Sequence, residues 1–204
     1  MNIQAYLKET RKIIGVGPNF KAFRAQKGIT HEEDPFLFIK SPQSLTVETD
    51  IYLPPQLTEF ICEVEMAVII GQEARNIAEE DVASIVAGYA IANDMTASAH
   101  FDTGRFKMFD QMTPIGQMVS IADPHQVDLE MWVNGNLIQK DNTVNLLFSS
   151  NWLISHISRM TTLCKGDIIL TGTPSNPMTC QIGDVVEMKS PQLGNHHFTI
   201  HKEL

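Results

Sequence analysis

Along most of the chain, apolar residues recur at every second position or in short unbroken runs, which is the period of strands rather than helices. Strands are expected at 44–49, 62–70, 87–93, 118–121, 128–133, 167–171, 184–189 and 197–201, with the apolar FLFIK, 36–40, as a further one. Turn residues punctuate them. Asn-Gly in VNGN, 133–136, lies between strand-like segments and marks a hairpin. KGDII, 165–169, and IGDVV, 182–186, share a turn-then-strand grammar without forming a repeat. Helical patterns are few. Residues 79–86 form one candidate, and 148–161 another, with Ser149 or Ser150 able to cap it and Trp152, Leu153, Ile157 and Met160 at helical spacing. The turn VGPNF leads into KAFRAQKG, 21–28, one or two helical turns closed by Gly28, and residues 2–14 suit a short helix entering a strand. Met108, Met112, Met118 and Met131 read as core filler.

Length and composition turn this pattern into an α+β, β-rich fold. With 204 residues, 43% hydrophobic, and no low-complexity linker, a single domain over 1–204 is expected. A formal net charge of −9 opposes polyanions at long range, so neither nucleic acid nor an anionic membrane is an expected partner, and a cation or small molecule fits better. The three cysteines, Cys62, Cys164 and Cys180, are odd in number and widely spaced, which fits neither a disulfide framework nor a CxxC pair. Together with an N-terminus lacking the features of a signal peptide, they lead to the expectation of a cytoplasmic protein.

The chemistry concentrates in EVEMAVII, 63–70, where two glutamates one residue apart enter an apolar run. On a strand, residues i and i+2 share a face about 7 Å apart, so Glu63 and Glu65 are neighbours that repel when buried together. A third carboxylate, Asp94, follows the apolar run of YAIAND, 89–94. Three carboxylates, with no histidine or cysteine in the same short segments EVEMAVII and YAIANDMTAS, make a hard oxygen set suited to Mg²⁺ or Mn²⁺ rather than zinc. Glu-x-Glu at a strand start is more often a solvated edge, and it is the flanking context that favours a site.

That context is the ordered set EVEMAVIIG, VAGYAIANDMTA, WVNGNLIQ and KGDIILTGTP, running from about residue 15 to 186. In these motifs the chain resembles the fumarylacetoacetate hydrolase family. The resemblance implies a mixed β-sandwich roll with few short helices, usually a homodimer. It places Glu63, Glu65 and Asp94 at the family's metal-binding carboxylates and Lys107, in RFKMFDQMTPIG, beside the substrate. It also assigns substrate contact to Thr173 and Gly172 of LTGTP and to Phe20 of NFKAFRAQ. Family substrates are 2-oxo or 1,3-dicarbonyl acids, whose adjacent oxygens chelate a hard ion while an enolate forms.

The chain also departs from the family. Hydrolytic members carry N-[YF]-x-x-H with a Glu one helical turn later, a pair that activates water. Here Phe23 stands in the His position and Gln26 in the Glu position, and neither accepts a proton at neutral pH. Ser98 replaces a common Arg, Phe101 replaces a Gln of some members, and the connection to Lys107 is shortened. His31 and Glu33 in ITHEED, or His100, are the candidate replacement bases, although Thr30 and Glu33 also have capping-box spacing. His197 and His201 lie about 13 Å apart along a strand, too far to share an ion. The leading expectation is therefore enolate chemistry on small 2-oxo (di)acids, decarboxylation or keto-enol isomerisation. C–C hydrolysis of acylpyruvate-like substrates and a non-catalytic metal-binding paralogue stand as alternatives.

Overall fold

The computed structural model describes residues 3–30 and 34–203. In chain order its strands begin β1 Ile13–Val16, β2 Leu37–Lys40, β3 Leu45–Thr46, β4 Asp50–Leu53, β5 Phe60–Cys62, β6 Val64–Ile70 and β7 Val86–Asn93. They continue β8 Thr113–Pro114, β9 Asp128–Val133, β10 Asn136–Asn142, β11 Ile168–Leu170, β12 Met178–Cys180, β13 Val185–Ser190 and β14 Gly194–Lys202. The α-helices are α1 Ile3–Leu7, α2 Lys21–Gln26 and α3 Ser150–Met160. Among the described residues no helix is long and apolar enough to cross a membrane.

Two five-stranded sheets, β2-β1-β11-β6-β7 and β10-β9-β13-β14-β4, pack through contacts of β7 with β13 and β14 and of β6 with β9. Both are mixed, since β1 runs parallel to β11 and β14 parallel to β4. Every residue of β6 is buried. Val64, Met66, Val68 and Ile70 join the core between the sheets, while Ala67 and Ile69 join a second cluster on the opposite face with Ile3, Ala90, Ala92 and Leu170. Burial on both faces is why this strand reads as an unbroken apolar run.

Several expectations are corrected. The strand expected at 62–70 breaks at Glu63, because β5 leaves the large sheet to pair with β12 while β6 stays. Residues 118–121 cross β7 at a single bridge, Tyr89 to Val119, instead of running along it. Of 44–49 only Leu45–Thr46 is extended, and the 79–86 candidate is a 3₁₀ segment, Glu79–Ser84. Met112, Met118 and Met131 are buried, but Met108 is 59% exposed and fills no core. Helix α3 matches its sequence signals, with the Ser149 hydroxyl accepting from the Trp152 N–H at 3.1 Å. Gly28 ends the α2 turn with φ +69°. Cys62, Cys164 and Cys180 are free.

Candidate active site

Strand register assembles the site. Val64 lies opposite Asn93, and one step further the Asp94 N–H donates to the Glu63 carbonyl at 2.8 Å. Strand β11 lies antiparallel to β6, so the turn after Leu170 passes the start of β6 and the Gly172 N–H donates to Glu65 Oε2 at 2.7 Å. The beginning of β6 and the ends of β7 and β11 thus bring Glu63, Glu65, Asp94 and Thr173 to one wall of a cavity of about 290 Å³, which Lys107 also lines.

Two lysines grip Asp94. Lys107 Nζ lies 2.6 Å from Asp94 Oδ2 and 3.0 Å from Glu63 Oε2, and it donates to the Asp94 carbonyl at 2.8 Å. Lys40 Nζ lies 2.6 Å from Asp94 Oδ1 and donates to the carbonyls of Met95 and Met112. Burial works to raise the Asp94 pKa, but Lys107 and Lys40 outweigh it and hold the carboxyl below its ordinary range. Burial likewise pulls Lys107 down, yet Asp94 and Glu63 together raise it above a normal lysine. For Lys40 burial prevails over Asp94, and its pKa falls to about 8. Glu65 has no such partner. Burial, then Asp94, then Glu63 push its pKa well above the ordinary glutamate value, with Lys107 and the Gly172 N–H opposing.

Lys40, Gln139 and Asn19 were not anticipated as site residues. Gln139 Oε1 accepts from the Val64 N–H at 3.0 Å, while its Nε2 donates to Thr173 Oγ1 at 2.9 Å and to the Pro174 carbonyl. Because the Thr173 oxygen is the acceptor there, its O–H remains available to donate to a ligand carboxylate. Asn19 Nδ2 donates to the carbonyls of Thr171 and Phe148, and its Oδ1 accepts from the Phe148 N–H, so one buried amide ties the turn before α2 to the segments at 148 and 171. A lysine closing an apolar strand and a Gln three residues past a hairpin turn are the only signals the sequence offers for two of these.

Two residues assigned substrate contact, Phe20 and Gly172, lie off the cavity lining. Phe20 precedes α2, is fully buried in the core and does not line the cavity; Phe23, three residues on, does. Gly172 does not line it either, and its N–H is engaged by Glu65. Its glycine identity has another cause: at φ +103°, an added Cβ would lie 2.7 Å from Asn19 Cβ. Gly172→Ala is therefore expected to destabilise the protein by about 1–3 kcal/mol, read as a lowered urea midpoint. His100 packs against Phe109 at 5.2 Å and does not line the cavity, whereas His31, Glu32 and Glu33 lie outside the described residues. Ser98 also lies off the cavity; Phe101 lines it. His201 is paired with Asp50 at 2.7 Å on a strand flanked by β13 and β4.

The donor set fits a hard divalent cation in its chemistry: three carboxylates on one wall, one of them buried without a positive partner. In this arrangement, however, no three Asp, Glu, His or Cys side chains converge to hold an ion among the described residues, and the Lys107 ammonium bridges Glu63 and Asp94. Lys40→Met would leave Asp94 only Lys107 as a counter-charge. It is expected to cost about 1–3 kcal/mol in chemical denaturation, less than losing a sole partner.

Two facing mixed sheets, with an acidic, lysine-braced cavity at the strand ends of one of them, define a β-rich enzyme fold. The chain belongs to the fumarylacetoacetate hydrolase family: the family described as Fumarylacetoacetate (FAA) hydrolase C-terminal matches residues 12–201. Oxaloacetate tautomerase Fahd2a of Rattus norvegicus is 34% identical, over 90% of this chain and 64% of its own length. The 4-hydroxyphenylacetate degradation bifunctional isomerase/decarboxylase of Salmonella dublin is 32% identical, over 92% of this chain and 46% of its own. The chain thus spans roughly half to two thirds of these relatives. Maleylpyruvate hydrolase from a Sphingobium species, solved with manganese(II) and pyruvate, superposes with TM-score 0.83 at 29% identity, covering 96% of this chain and 72% of that one.

Proposed function

We propose that this protein is a Mg²⁺- or Mn²⁺-dependent enzyme acting on small 2-oxo (di)acids through an enolate, by keto-enol isomerisation or decarboxylation rather than C–C hydrolysis. Glu63, Glu65 and Asp94 would hold the cation, which supplies Lewis acidity to the 2-oxo acid when bound. Lys107 Nζ, which lines the same cavity, would place positive charge where the enolate oxygen develops. The Thr173 O–H donates to the substrate carboxylate, and Gln139 fixes its rotamer. The tautomerase and isomerase/decarboxylase names of the two relatives, and the manganese and pyruvate of the third protein, support this reading.

One observation carries the preference over hydrolysis. Phe23, which the sequence resemblance aligns with the water-activating histidine of hydrolytic members, lines the cavity, and among the described residues no histidine lines it. Gln26, at the companion position, is turned to Asn176, whose Oδ1 accepts from its Nε2 at 3.1 Å. The test is a panel of oxaloacetate, acylpyruvates and oxo-dienoates incubated with the Mn²⁺-loaded protein. Enol-keto conversion or CO₂ release is expected, lost on EDTA treatment and restored by Mn²⁺, without pyruvate release from acylpyruvates. Manganese binding without turnover of any panel member would refute the enzymatic reading, and pyruvate release would replace it with hydrolysis.

A further inference from the structure

Much of the remaining lining of the same cavity is aromatic. Phe23, Phe36, Phe38, Phe101 and Phe106 all line it. Their rings form a path that starts at the acid cluster, where Lys107 Nζ lies 5.0 Å from the Phe38 centroid. From Phe38 it passes to Phe106 at 6.0 Å and on to Phe101 at 4.8 Å, with Phe36 at 6.2 Å on the other side of Phe38. Glycines seat two of these rings. Gly15 is paired with Phe38 across β1 and β2, and a Cβ there would lie 2.3 Å from that ring; a Cβ on Gly17 would lie 2.9 Å from the Phe36 ring. The chain gives up two side chains where two phenyl rings pack, and at Gly15 this is the arrangement by which an aromatic ring covers a strand glycine. At the outer end Phe36 and Phe101 remain 65% and 52% exposed, an apolar surface continuous with the cavity.

Cations are scarce along this path. Lys107 is already engaged by Asp94 and Glu63. The other lining lysine, Lys27, is exposed and rests 5.4 Å from the Phe23 centroid. A second carboxylate on the substrate would lose water against phenyl rings without a buried donor, and an exposed ammonium returns little of that cost. An apolar tail gains by the same contacts.

We propose that the substrate is a 2-oxo monoacid with an aryl or bulky alkyl tail, its head group at the acid cluster and its tail along Phe38, Phe106 and Phe101. The proposal rests on the head-group reading given above and adds the class of the tail. The reaction it implies is tautomerisation of such an acid. The O–H bond of the enol breaks and a C–H bond forms at C3, the C2=C3 electron pair takes up the proton and C2=O is restored, without oxidant or co-reactant.

Non-enolisable mimics test it by calorimetry on the Mn²⁺-loaded protein: oxalate for the head alone, oxanilate for head plus aryl tail, and oxalylglycine for head plus second carboxylate. Oxanilate is expected to bind about tenfold or more tightly than oxalylglycine. Phe101→Gln, at an exposed position that leaves the core untouched, is expected to shrink that ratio about threefold or more, with oxalate as the internal reference. Oxalylglycine binding as tightly as oxanilate, or losing affinity on Lys27→Met, would overturn the tail assignment while oxalate binding upholds the head-group reading. Failure of oxalate to bind as well would overturn both.

Discussion

Asp94→Asn is expected to destabilise the folded protein by about 3–5 kcal/mol, the scale of breaking a buried ion pair from one side. Asp94 is the common anion of Lys40 and Lys107, whose side chains are 0% and 6% exposed. Asparagine keeps one acceptor oxygen but removes the charge. Lys107 retains Glu63; Lys40 is left with only the carbonyls of Met95 and Met112. The loss should appear as a lower urea midpoint with an unchanged slope. Adding Lys40→Met in the same chain should return part of it, because an apolar side chain replaces a buried amine that has lost its carboxylate. A double variant no more stable than Asp94→Asn would show that the two groups are not coupled.

Glu65→Gln is expected to do the reverse to stability and at least as much to function. The amide keeps an oxygen for the Gly172 N–H and removes the charge that burial, Asp94 and Glu63 all disfavour. Metal-free stability should hold or rise, while Mn²⁺ affinity and turnover fall by at least about 100-fold, beyond the usual loss for a residue that merely supports a ligand. Denaturation of the chelated protein and calorimetric Mn²⁺ titration check the two halves separately. Unaltered Mn²⁺ affinity would remove Glu65 from the binding set. Asp94→Asn and Glu65→Gln thus separate a carboxylate that holds the fold from one held against its own electrostatics.

The parts of this design that are local in sequence were legible there. The unbroken apolar run of β6 announced a strand covered on both sides, and Ser149 marked the start of α3. Glu63, Glu65, Asp94, Lys107 and Thr173 were all recognisable, and all line one cavity. What escaped depends on distant partners. Lys40 at the end of FLFIK looks like a solvated lysine until Asp94, 54 positions on, meets it. The break at Glu63 is invisible locally because it comes from β12 drawing β5 aside. Phe20 and Phe23 could not be told apart by type, since the turn into α2 sends one to the core and the other to the cavity.

The bridge that Lys107 makes between Glu63 and Asp94 turns one of the protein's own side chains into a tethered competitor for any incoming ion. A sodium or potassium ion offers those carboxylates no more charge than the ammonium already there, so exchange brings no electrostatic gain. A doubly charged ion does, and its attraction also reaches Glu65, which the lysine leaves unneutralised. Were Glu63, Glu65 and Asp94 to take up an ion, selectivity for valence would thereby be set inside the chain, before ionic radius or coordination number comes into play.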